Sequence, residues 1–287
     1  MNFSYKVTKL VAYCSLIRGN QPVGLLLLLW PTLWALWLSE MSSPSFRVFL
    51  IFILGVFSMR SAGCIVNDLV DWKIDSCIKR TCKRPIPSGL VSKKEAKILF
   101  LFFVFLSFSL VLMMNEKTIF LSFIGLFLTL IYPFMKRYTN LPQMVLGISF
   151  SWPIPMVWAE VTQSLPKICW LLFLANIFWV MVYDTQYAMV DRSDDLKVGV
   201  RSSAILFNRY DKLIIGCLQL SVLIVLILIG WKIHLAKSFY YSIFIIFLLF
   251  IYQQMLIADR HPEDCFQAFL NNNWVGFVLF LGIFFGI

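Results

Sequence analysis

The chain has 287 residues, of which 60% are hydrophobic and only 14% are charged, and its formal net charge is +10. A mean hydropathy of +0.81 excludes a water-soluble domain with a polar shell and predicts a polytopic helical membrane protein. The apolar segments are long and lack the ten-residue alternation that is typical of an outer-membrane barrel.

The predicted elements are all helices. Residues 1–22 place apolar side chains at helical spacing between basic ones, which indicates an amphipathic segment lying on the membrane surface. The rest of the chain predicts an all-α bundle of nine transmembrane helices, and we expect residues 1–287 to form a single membrane domain. The predicted spans are roughly 23–41, 47–67, 98–115, 118–135, 142–160, 166–187, 212–231, 238–257 and 272–287.

The distribution of basic residues predicts the orientation of the chain. Nineteen of the 25 Lys and Arg residues fall in the segments on one side of the predicted spans, five fall on the other side, and Arg60 lies inside a span. Basic loops face the cytoplasm, so this asymmetry predicts a cytoplasmic N-terminus and a C-terminus on the opposite side. It also explains the net charge without a nucleic-acid partner.

The first acidic cluster follows the second span and consists of Asn67, Asp68, Asp71 and Asp75. Asn67, Asp71 and Asp75 are spaced i, i+4 and i+8, so they line one face of a helix. Carboxylates this close repel one another unless a cation holds them, and oxygen ligands at the end of a membrane helix favour Mg²⁺. The alternative is a solvated helix end whose acids pair with neighbouring cations such as Lys79 and Arg80.

Basic residues surround this cluster in the sequence. The loop from Lys73 to Arg84 holds five cations, and Lys136 and Arg137 return to the same side of the membrane. Such cations either contact anionic lipid headgroups or bind the phosphates of a substrate, and the sequence leaves both uses open. Arg18 and Asn20 precede the first span and are candidates for the mouth of the bundle or for a simple interfacial anchor.

The second acidic cluster ends the sixth span. Asp184, Asp191 and Asp195 are spaced i, i+7 and i+11, again one helical stripe. The chain crosses the membrane an even number of times between the two clusters, so both lie on the same side of the membrane and can face one cavity. Each cluster would then hold a metal, and a diphosphate would bridge the two metals. Lys197 and Arg201 add cations nearby, and the last three spans carry few polar groups and are interpreted as wall.

The fifth span contains Pro153 and Pro155, which predict a kink or a break. Irregular backbone at membrane depth is tolerated where it lines a cavity, although a kink for packing alone is the equal alternative.

Acids, cations and an apolar bundle together suit a substrate with a diphosphate head and a long apolar tail. Metal and cations stabilise a departing diphosphate. Ionisation of an allylic diphosphate leaves a carbocation, which an electron-rich aromatic ring can attack.

Four motifs together resemble the UbiA superfamily of intramembrane prenyltransferases. They are Asn67-Asp68-x-x-Asp71-x-x-x-Asp75, Lys83-Arg84-Pro85-x-Pro87-Ser88-Gly89, Tyr132-Pro133-x-x-Lys136-Arg137, and Tyr183-Asp184 followed by Asp191 and Asp195. The resemblance runs from about Arg18 to the end of the chain. It implies nine helices around a central cavity, Mg²⁺ dependence and location in a bacterial inner membrane. The stretches Trp30–Trp37 and Tyr183–Asp191 further resemble members that attach a polyprenyl chain ortho to the hydroxyl of 4-hydroxybenzoate for ubiquinone biosynthesis.

The resemblance also implies roles for individual residues. The expected metal ligands are Asn67, Asp68, Asp71, Asp75, Asp191 and Asp195. The expected catalytic residues are Asp71, Asp75, Asp191, Asp195 and Arg137. The expected substrate-binding residues are Arg18, Asn20, Asn67, Asp68, Lys83, Arg84, Lys136, Tyr183, Asp184, Lys197 and Arg201.

Two alternatives stay open at this point. Another acceptor, such as a naphthoate, haem, a chlorin or a glycerol phosphate lipid, would use the same site within the same superfamily. Ion or solute transport also uses intramembrane charges, but both acidic clusters lie at one end of the bundle, whereas alternating access needs a site near the midplane.

Overall fold

A computed structural model describes residues 3–76 and 81–287, and every regular element in those ranges is helical. Lys79 and Arg80, two cations of the predicted basic loop, lie outside the described residues. The helices are α1 Phe3–Leu16, α2 Val23–Glu40, α3 Phe46–Asp75, α4 Lys93–Val111, α5 Glu116–Tyr138, α6 Pro142–Ser151, α7 Pro153–Thr162, α8 Lys167–Val198, α9 Ser203–Phe207, α10 Asp211–Lys232, α11 Lys237–Leu256 and α12 Pro262–Phe284. A short 3₁₀ turn, Asn208–Tyr210, joins α9 to α10.

The polytopic membrane architecture is confirmed. Eight helical segments in the described ranges are long and apolar enough to cross a membrane. One predicted span, 98–115, is not among these eight. It corresponds to α4, whose first turns contain Lys93, Lys94, Glu95 and Lys97. Those charges keep α4 outside the same criterion of apolarity, so the predicted count of nine fits approximately.

Two helices extend beyond the predicted membrane spans. α3 has 30 residues and α8 has 32, so each is roughly 45 Å long, against a hydrocarbon core of roughly 30 Å. The corresponding predicted spans end at residues 67 and 187, which is where the apolar stretches stop. The helices continue for two further turns or more, and those turns carry Asp71, Asp75, Asp191 and Asp195 on rigid backbone.

The fifth span is broken, as its prolines predict. α6 ends at Ser151 and α7 begins at Pro153, with Trp152 between them. Pro153 and Pro155 have no backbone N–H, so they cannot continue the hydrogen-bond ladder of α6. The hydroxyl of Ser151 accepts a hydrogen bond of 2.8 Å from the Asn176 amide of α8, and this bond ties the break to the centre of the bundle.

The long helix α8 lies at the centre of the bundle. It packs against α6, α7, α10 and α12, and α12 in turn packs against α2. Indole Nε1 of Trp34 donates to the carbonyl oxygen of Gly276 at 3.1 Å, and Nε1 of Trp30 donates to Asn273 Oδ1 at 2.9 Å. The first and last spans therefore meet and close the bundle.

The last three spans carry few polar groups, as the sequence predicts, but three of those few are buried and bonded in one network. Gln219, Gln253 and Asn272, one from each of those spans, are buried. Gln253 Oε1 accepts hydrogen bonds from Gln219 (2.9 Å) and Gln186 (3.1 Å), and Asn272 donates to Gln186 Oε1 at 2.8 Å. Isolated amides in separate apolar segments give no sequence signal, yet in a bilayer they must find partners. They join the outer helices to α8.

The N-terminal helix α1 is held to the start of α4 by one carboxylate. Lys9 Nζ lies 2.8 Å from Glu95 Oε1, and the Tyr13 hydroxyl donates to the same oxygen at 2.9 Å. The Lys9 ammonium and the hydrogen bonds from Ser92 and Tyr13 lower the pKa of Glu95 to about 2, from an ordinary value of 4.5. Because the pKa is lowered, this contribution to docking is fully present above pH 4.5 and is lost as the pH falls towards 2.

Replacing Glu95 by glutamine should loosen α1. A partly exposed ion pair contributes about 1 kcal/mol or less, so we expect hydrogen exchange across residues 9–16 to become severalfold faster near pH 7, with little further change on acidification. The matched control is Glu116→Gln, at the exposed start of α5, which should leave exchange in α1 unchanged. Equal protection of α1 in both variants would contradict the assignment of docking to Glu95.

Candidate active site

A cavity of about 970 Å³ opens between the helices. Its wall is formed by the ends of α3, α5 and α8, the break between α6 and α7, the start of α12, and the loops around residues 18–24, 81–84 and 200–202. The predicted site residues on this wall are Arg18, Asn20, Asn67, Asp71, Asp75, Lys83, Arg84, Lys136, Tyr183, Asp184, Asp191, Asp195 and Arg201. Most of the predicted site is thus brought to one cavity.

The acids of the first cluster are buried rather than solvated. Asp71 and Asp75 are 3% and 5% exposed. Asp75 Oδ2 lies 2.7 Å from Arg84 Nη1, and Asp71 Oδ2 lies 3.5 Å from Lys136 Nζ. The partners come from the following loop and from α5, so tertiary contacts rather than neighbours on the helix neutralise these carboxylates.

Asp68 does not reach the cavity wall, although the sequence predicts it to be a metal ligand. It is fully buried, with Oδ1 at 2.7 Å from Arg18 Nη2 and 3.3 Å from Arg84 Nη1. A residue one position after Asn67 is turned by about 100° from the stripe that Asn67, Asp71 and Asp75 share. From behind the wall, Asp68 orients the two arginines that do line the cavity.

The second cluster comes from α8. Asp184 lies on the apolar part of the helix, while Asp191 and Asp195 lie on the extended C-terminal turns, and all three line the cavity. Tyr183 is 2% exposed, and its hydroxyl has no hydrogen-bond partner among the described residues. The two acidic clusters therefore share one chamber, as their spacing along the chain predicts.

Two further predicted site residues, besides Asp68, lie off the wall. Arg137 donates to the Val70 carbonyl oxygen at 3.0 Å, and its Nη2 lies 3.6 Å from Asp71 Oδ1. Lys197 is 73% exposed and pairs with Asp194 at 3.1 Å. Consecutive residues point in different directions on a helix, so of Lys136 and Arg137 only Lys136 faces the cavity.

The structure adds cavity residues that the motifs do not include. Arg60 lines the cavity from the middle of α3, and Phe150 joins it there. Tyr132, which the third motif includes but which was not assigned a role, also lines the cavity. A position in the middle of a predicted span was the only sequence feature that pointed to a role for Arg60, because ionisable residues at that depth are usually functional. Phe266 and Phe269 of α12 are also on the wall and have no polar signature in the sequence.

The donor atoms suit a hard cation. Asn67 Oδ1 and Asp71 Oδ1 are buried and have no hydrogen-bond partner among the described residues. Within the same part of the chain, no three His, Cys, Asp or Glu side chains come together closely enough to hold a metal ion. The unpartnered oxygens of Asn67 and Asp71 nevertheless fit an ion such as Mg²⁺, which takes few carboxylates and completes its shell with water and phosphate oxygens.

Comparison with known proteins gives one consistent result. Residues 28–282 match the UbiA prenyltransferase family. The chain is 59% identical to the 4-hydroxybenzoate octaprenyltransferase of Yersinia enterocolitica over 95% of both chains. It is also 59% identical to the enzyme of that name from Yersinia pseudotuberculosis (strain PB1/+), over 96% of both chains.

Solved structures share the fold. The apo structure of a UbiA homolog from Aeropyrum pernix K1 has a TM-score of 0.79 at 23% identity and covers 90% of this chain and 96% of its own. A homolog from Archaeoglobus fulgidus bound to GPP and Mg²⁺ has a TM-score of 0.72 at 16% identity, covering 93% of this chain and 99% of its own. The same homolog has also been solved with Cd²⁺.

Proposed function

The chain belongs to the UbiA prenyltransferase family, and we propose that it transfers a polyprenyl chain from polyprenyl diphosphate to the ring carbon ortho to the hydroxyl of 4-hydroxybenzoate. The observation that carries the proposal is the single cavity in which two acidic clusters and several cations meet an apolar wall. Identity of 59% along almost the whole chain to enzymes named for this acceptor supports the choice of acceptor.

In this proposal the two acidic clusters hold Mg²⁺. Asn67, Asp71 and Asp75 supply oxygen ligands from α3, and Asp191 and Asp195 supply them from α8. The metal, when bound, neutralises the diphosphate of the prenyl donor and favours its departure. Asp68 keeps a supporting role, since its carboxylate is engaged by Arg18 and Arg84.

The cations of the wall bind the diphosphate. Five line the polar part of the cavity, namely Arg18, Lys83, Arg84, Lys136 and Arg201. Several are already oriented by carboxylates or backbone, as when Arg201 Nη1 donates to the Tyr138 carbonyl oxygen at 3.1 Å. Donors fixed before the reaction stabilise developing negative charge without reorganisation at the moment of bond breaking.

The apolar wall shields the allylic cation, which forms when the diphosphate departs, from water. Phe150, Trp152 and Tyr132 line the chamber beyond the acids, where their rings exclude water and place π-electron density beside an allylic cation. A water-excluded chamber lets the electron-rich ring of the acceptor capture that cation before water does. The ring then loses a proton and regains aromaticity.

We further propose that the single domain, residues 1–287, is embedded in the bacterial inner membrane with its N-terminus in the cytoplasm and serves ubiquinone biosynthesis. The polar end of the cavity would then face the cytoplasm, where 4-hydroxybenzoate is dissolved, while the prenyl tail remains in the lipid.

The test is transfer of radiolabelled 4-hydroxybenzoate into the lipid-soluble fraction by purified protein supplied with a polyprenyl diphosphate. We expect product with Mg²⁺, none after chelation, and recovery when Mg²⁺ is restored, because the buried acids need a cation to receive a second anion. Product only with another aromatic ring would keep the site and overturn the acceptor. Absence of product with every acceptor, together with flux of a labelled solute into proteoliposomes, would favour transport.

A further inference from the structure

Gln143 is a polar residue on the cavity wall that belongs to neither the acidic clusters nor the cations. It is the second residue of α6 and is 5% exposed. It lines the same cavity as Lys136 and Arg201. None of the four sequence motifs includes it, and the metal and diphosphate sites described above do not use it.

One end of the Gln143 amide is fixed by the loop that follows α8. The backbone N–H of Ser203 donates to Gln143 Oε1 at 2.9 Å, and both residues are buried. A backbone N–H can only donate, so the oxygen of the amide must face Ser203 and the nitrogen must face away from it. The fold therefore fixes which end of the amide points away from the loop.

The other end of the amide is open to the cavity. Within the described residues no hydrogen bond uses Gln143 Nε2, and this nitrogen is not among the fully buried side-chain atoms that lack a partner. Its N–H groups therefore reach the space that Gln143 lines. A donor in such a recess costs about 1–3 kcal/mol when it is left unpaired, so these N–H groups favour a ligand that can accept from them.

Hydrogen bonds hold the loop after α8 against both α8 and the end of α5. The Ser203 hydroxyl lies 2.8 Å from the Thr185 hydroxyl of α8. Two positions before Ser203, the backbone N–H of Arg201 donates to the Lys136 carbonyl oxygen at 3.3 Å. The same loop thus orients the Gln143 amide and brings Arg201 to the cavity wall.

Gly147 allows the start of α6 to lie close to α8. A Cβ at Gly147 would lie 3.3 Å from the Ile177 carbonyl oxygen, so a larger residue would push the two helices apart. Gln143 precedes Gly147 by four residues and shares its face of α6. Thr185 precedes Asp191 by six residues, so the bonded loop meets α8 roughly 9 Å along the helix axis from that carboxylate. The amide is therefore near the second acidic cluster as well as the cations.

We propose that Gln143 donates from Nε2 to a phosphate oxygen of the prenyl diphosphate and completes the site for that group with an uncharged donor. The inference rests on the proposed function and adds a substrate-contacting residue to its diphosphate site. Lys136 and Arg201 supply positive charge, while the amide supplies a hydrogen bond whose direction is fixed before the substrate binds. An uncharged donor adds no further repulsion between the cations of the wall.

The test measures binding of inorganic pyrophosphate, with Mg²⁺, to the detergent-solubilised protein by titration calorimetry. Gln143→Met removes the amide but keeps a side chain of similar length, and we expect it to raise the Kd for pyrophosphate about tenfold. Gln143→Glu keeps an oxygen for the Ser203 N–H and replaces the donor by a carboxylate oxygen. We expect its Kd to rise about 100-fold, because two anions then face each other.

Ser203→Ala is the matched control. It removes the hydroxyl that contacts Thr185 but keeps the backbone N–H that orients Gln143, and Ser203 does not line the cavity. We expect this variant to bind pyrophosphate with the affinity of the wild type and to differ from it only in Tm.

The order of the two Gln143 variants separates a ligand contact from the other roles open to this residue. If Gln143 only braces the loop, Gln143→Met loses affinity and Gln143→Glu keeps it. If the site responds only to charge at a distance, Gln143→Glu loses affinity and Gln143→Met keeps it. Either result, or unchanged binding in both variants, would overturn the proposal.

Pyrophosphate binding also separates this inference from the proposed function, because it needs neither an acceptor nor transfer. Loss of affinity in both variants, greater for Gln143→Glu, would support the contact even if the acceptor were a different ring. Transfer to 4-hydroxybenzoate together with full pyrophosphate affinity in both variants would support the proposed function and refute the role of Gln143. No binding of pyrophosphate by the wild type would refute that role too, and the transfer assay would then decide the proposed function alone.

Discussion

Asp71→Asn should abolish prenyl transfer while the helical bundle stays assembled. Asparagine keeps the shape of the side chain but removes a negative charge from the cavity wall, where Asp71 faces Lys136 at 3.5 Å. Loss of one such group costs about 10³-fold in kcat, and loss of a metal ligand adds to that. Asp191→Asn on α8 should have the same effect, because each cluster is proposed to hold a metal at the same diphosphate.

The matched control is Asp194→Asn. Asp194 lies between Asp191 and Asp195 in the sequence, but it pairs with the exposed Lys197 and does not line the cavity. We expect this variant to keep wild-type turnover. Initial rates at saturating Mg²⁺, together with gel-filtration profiles in detergent, would distinguish loss of chemistry from loss of fold. Full activity in Asp71→Asn and Asp191→Asn would refute the proposed metal site.

Asp211→Ala should cause a large loss of stability although Asp211 lies outside the cavity. Asp211 is fully buried at the start of α10. Its carboxylate lies 2.6 Å from Arg260 Nη2 and 3.1 Å from Arg192 Nη1. Removing the acid leaves two arginines facing each other without their anion, and breaking a buried pair in this way costs about 3 kcal/mol or more.

Thermal unfolding in detergent measures that loss. We expect a clearly lower Tm for Asp211→Ala, while the fraction that remains folded turns over normally, because Asp211 does not line the cavity. Asp259→Ala, an exposed acid in the adjoining loop, is the control and should melt with the wild type. An equal Tm for the two variants would mean that the ion pairs of Asp211 contribute little to the stability of the fold.

Much of the site could be predicted from sequence because helical geometry is local. The i, i+4 spacing of Asp71 and Asp75, repeated by Asp191 and Asp195, fixes which side chains share a face. The even number of crossings then places both faces in one compartment. Both features follow from the chain alone, without knowledge of how the helices pack, and these four aspartates do line the cavity.

Pairing across the bundle could not be predicted in the same way. Nothing in the sequence near Asp68 indicates that its carboxylate would pair with Arg18, fifty residues earlier. Nor does the sequence indicate that Lys197 would point away from the cavity while Arg201 lines it. Arg60 and the buried amides of Gln219, Gln253 and Asn272 are single polar residues in apolar segments. Their partners come from other helices, so their roles become clear only in three dimensions.

The contact between α2 and α12 has a consequence for biogenesis. Trp34 and Gly276, which it joins, are 242 positions apart, and a nascent chain leaves the ribosome from its N-terminus. Both acidic clusters have therefore been synthesised before α2 can contact α12. The chamber gains the wall that carries Phe266 and Phe269 only after α12 has been synthesised. We therefore expect competence to hold a substrate to follow the insertion of α12.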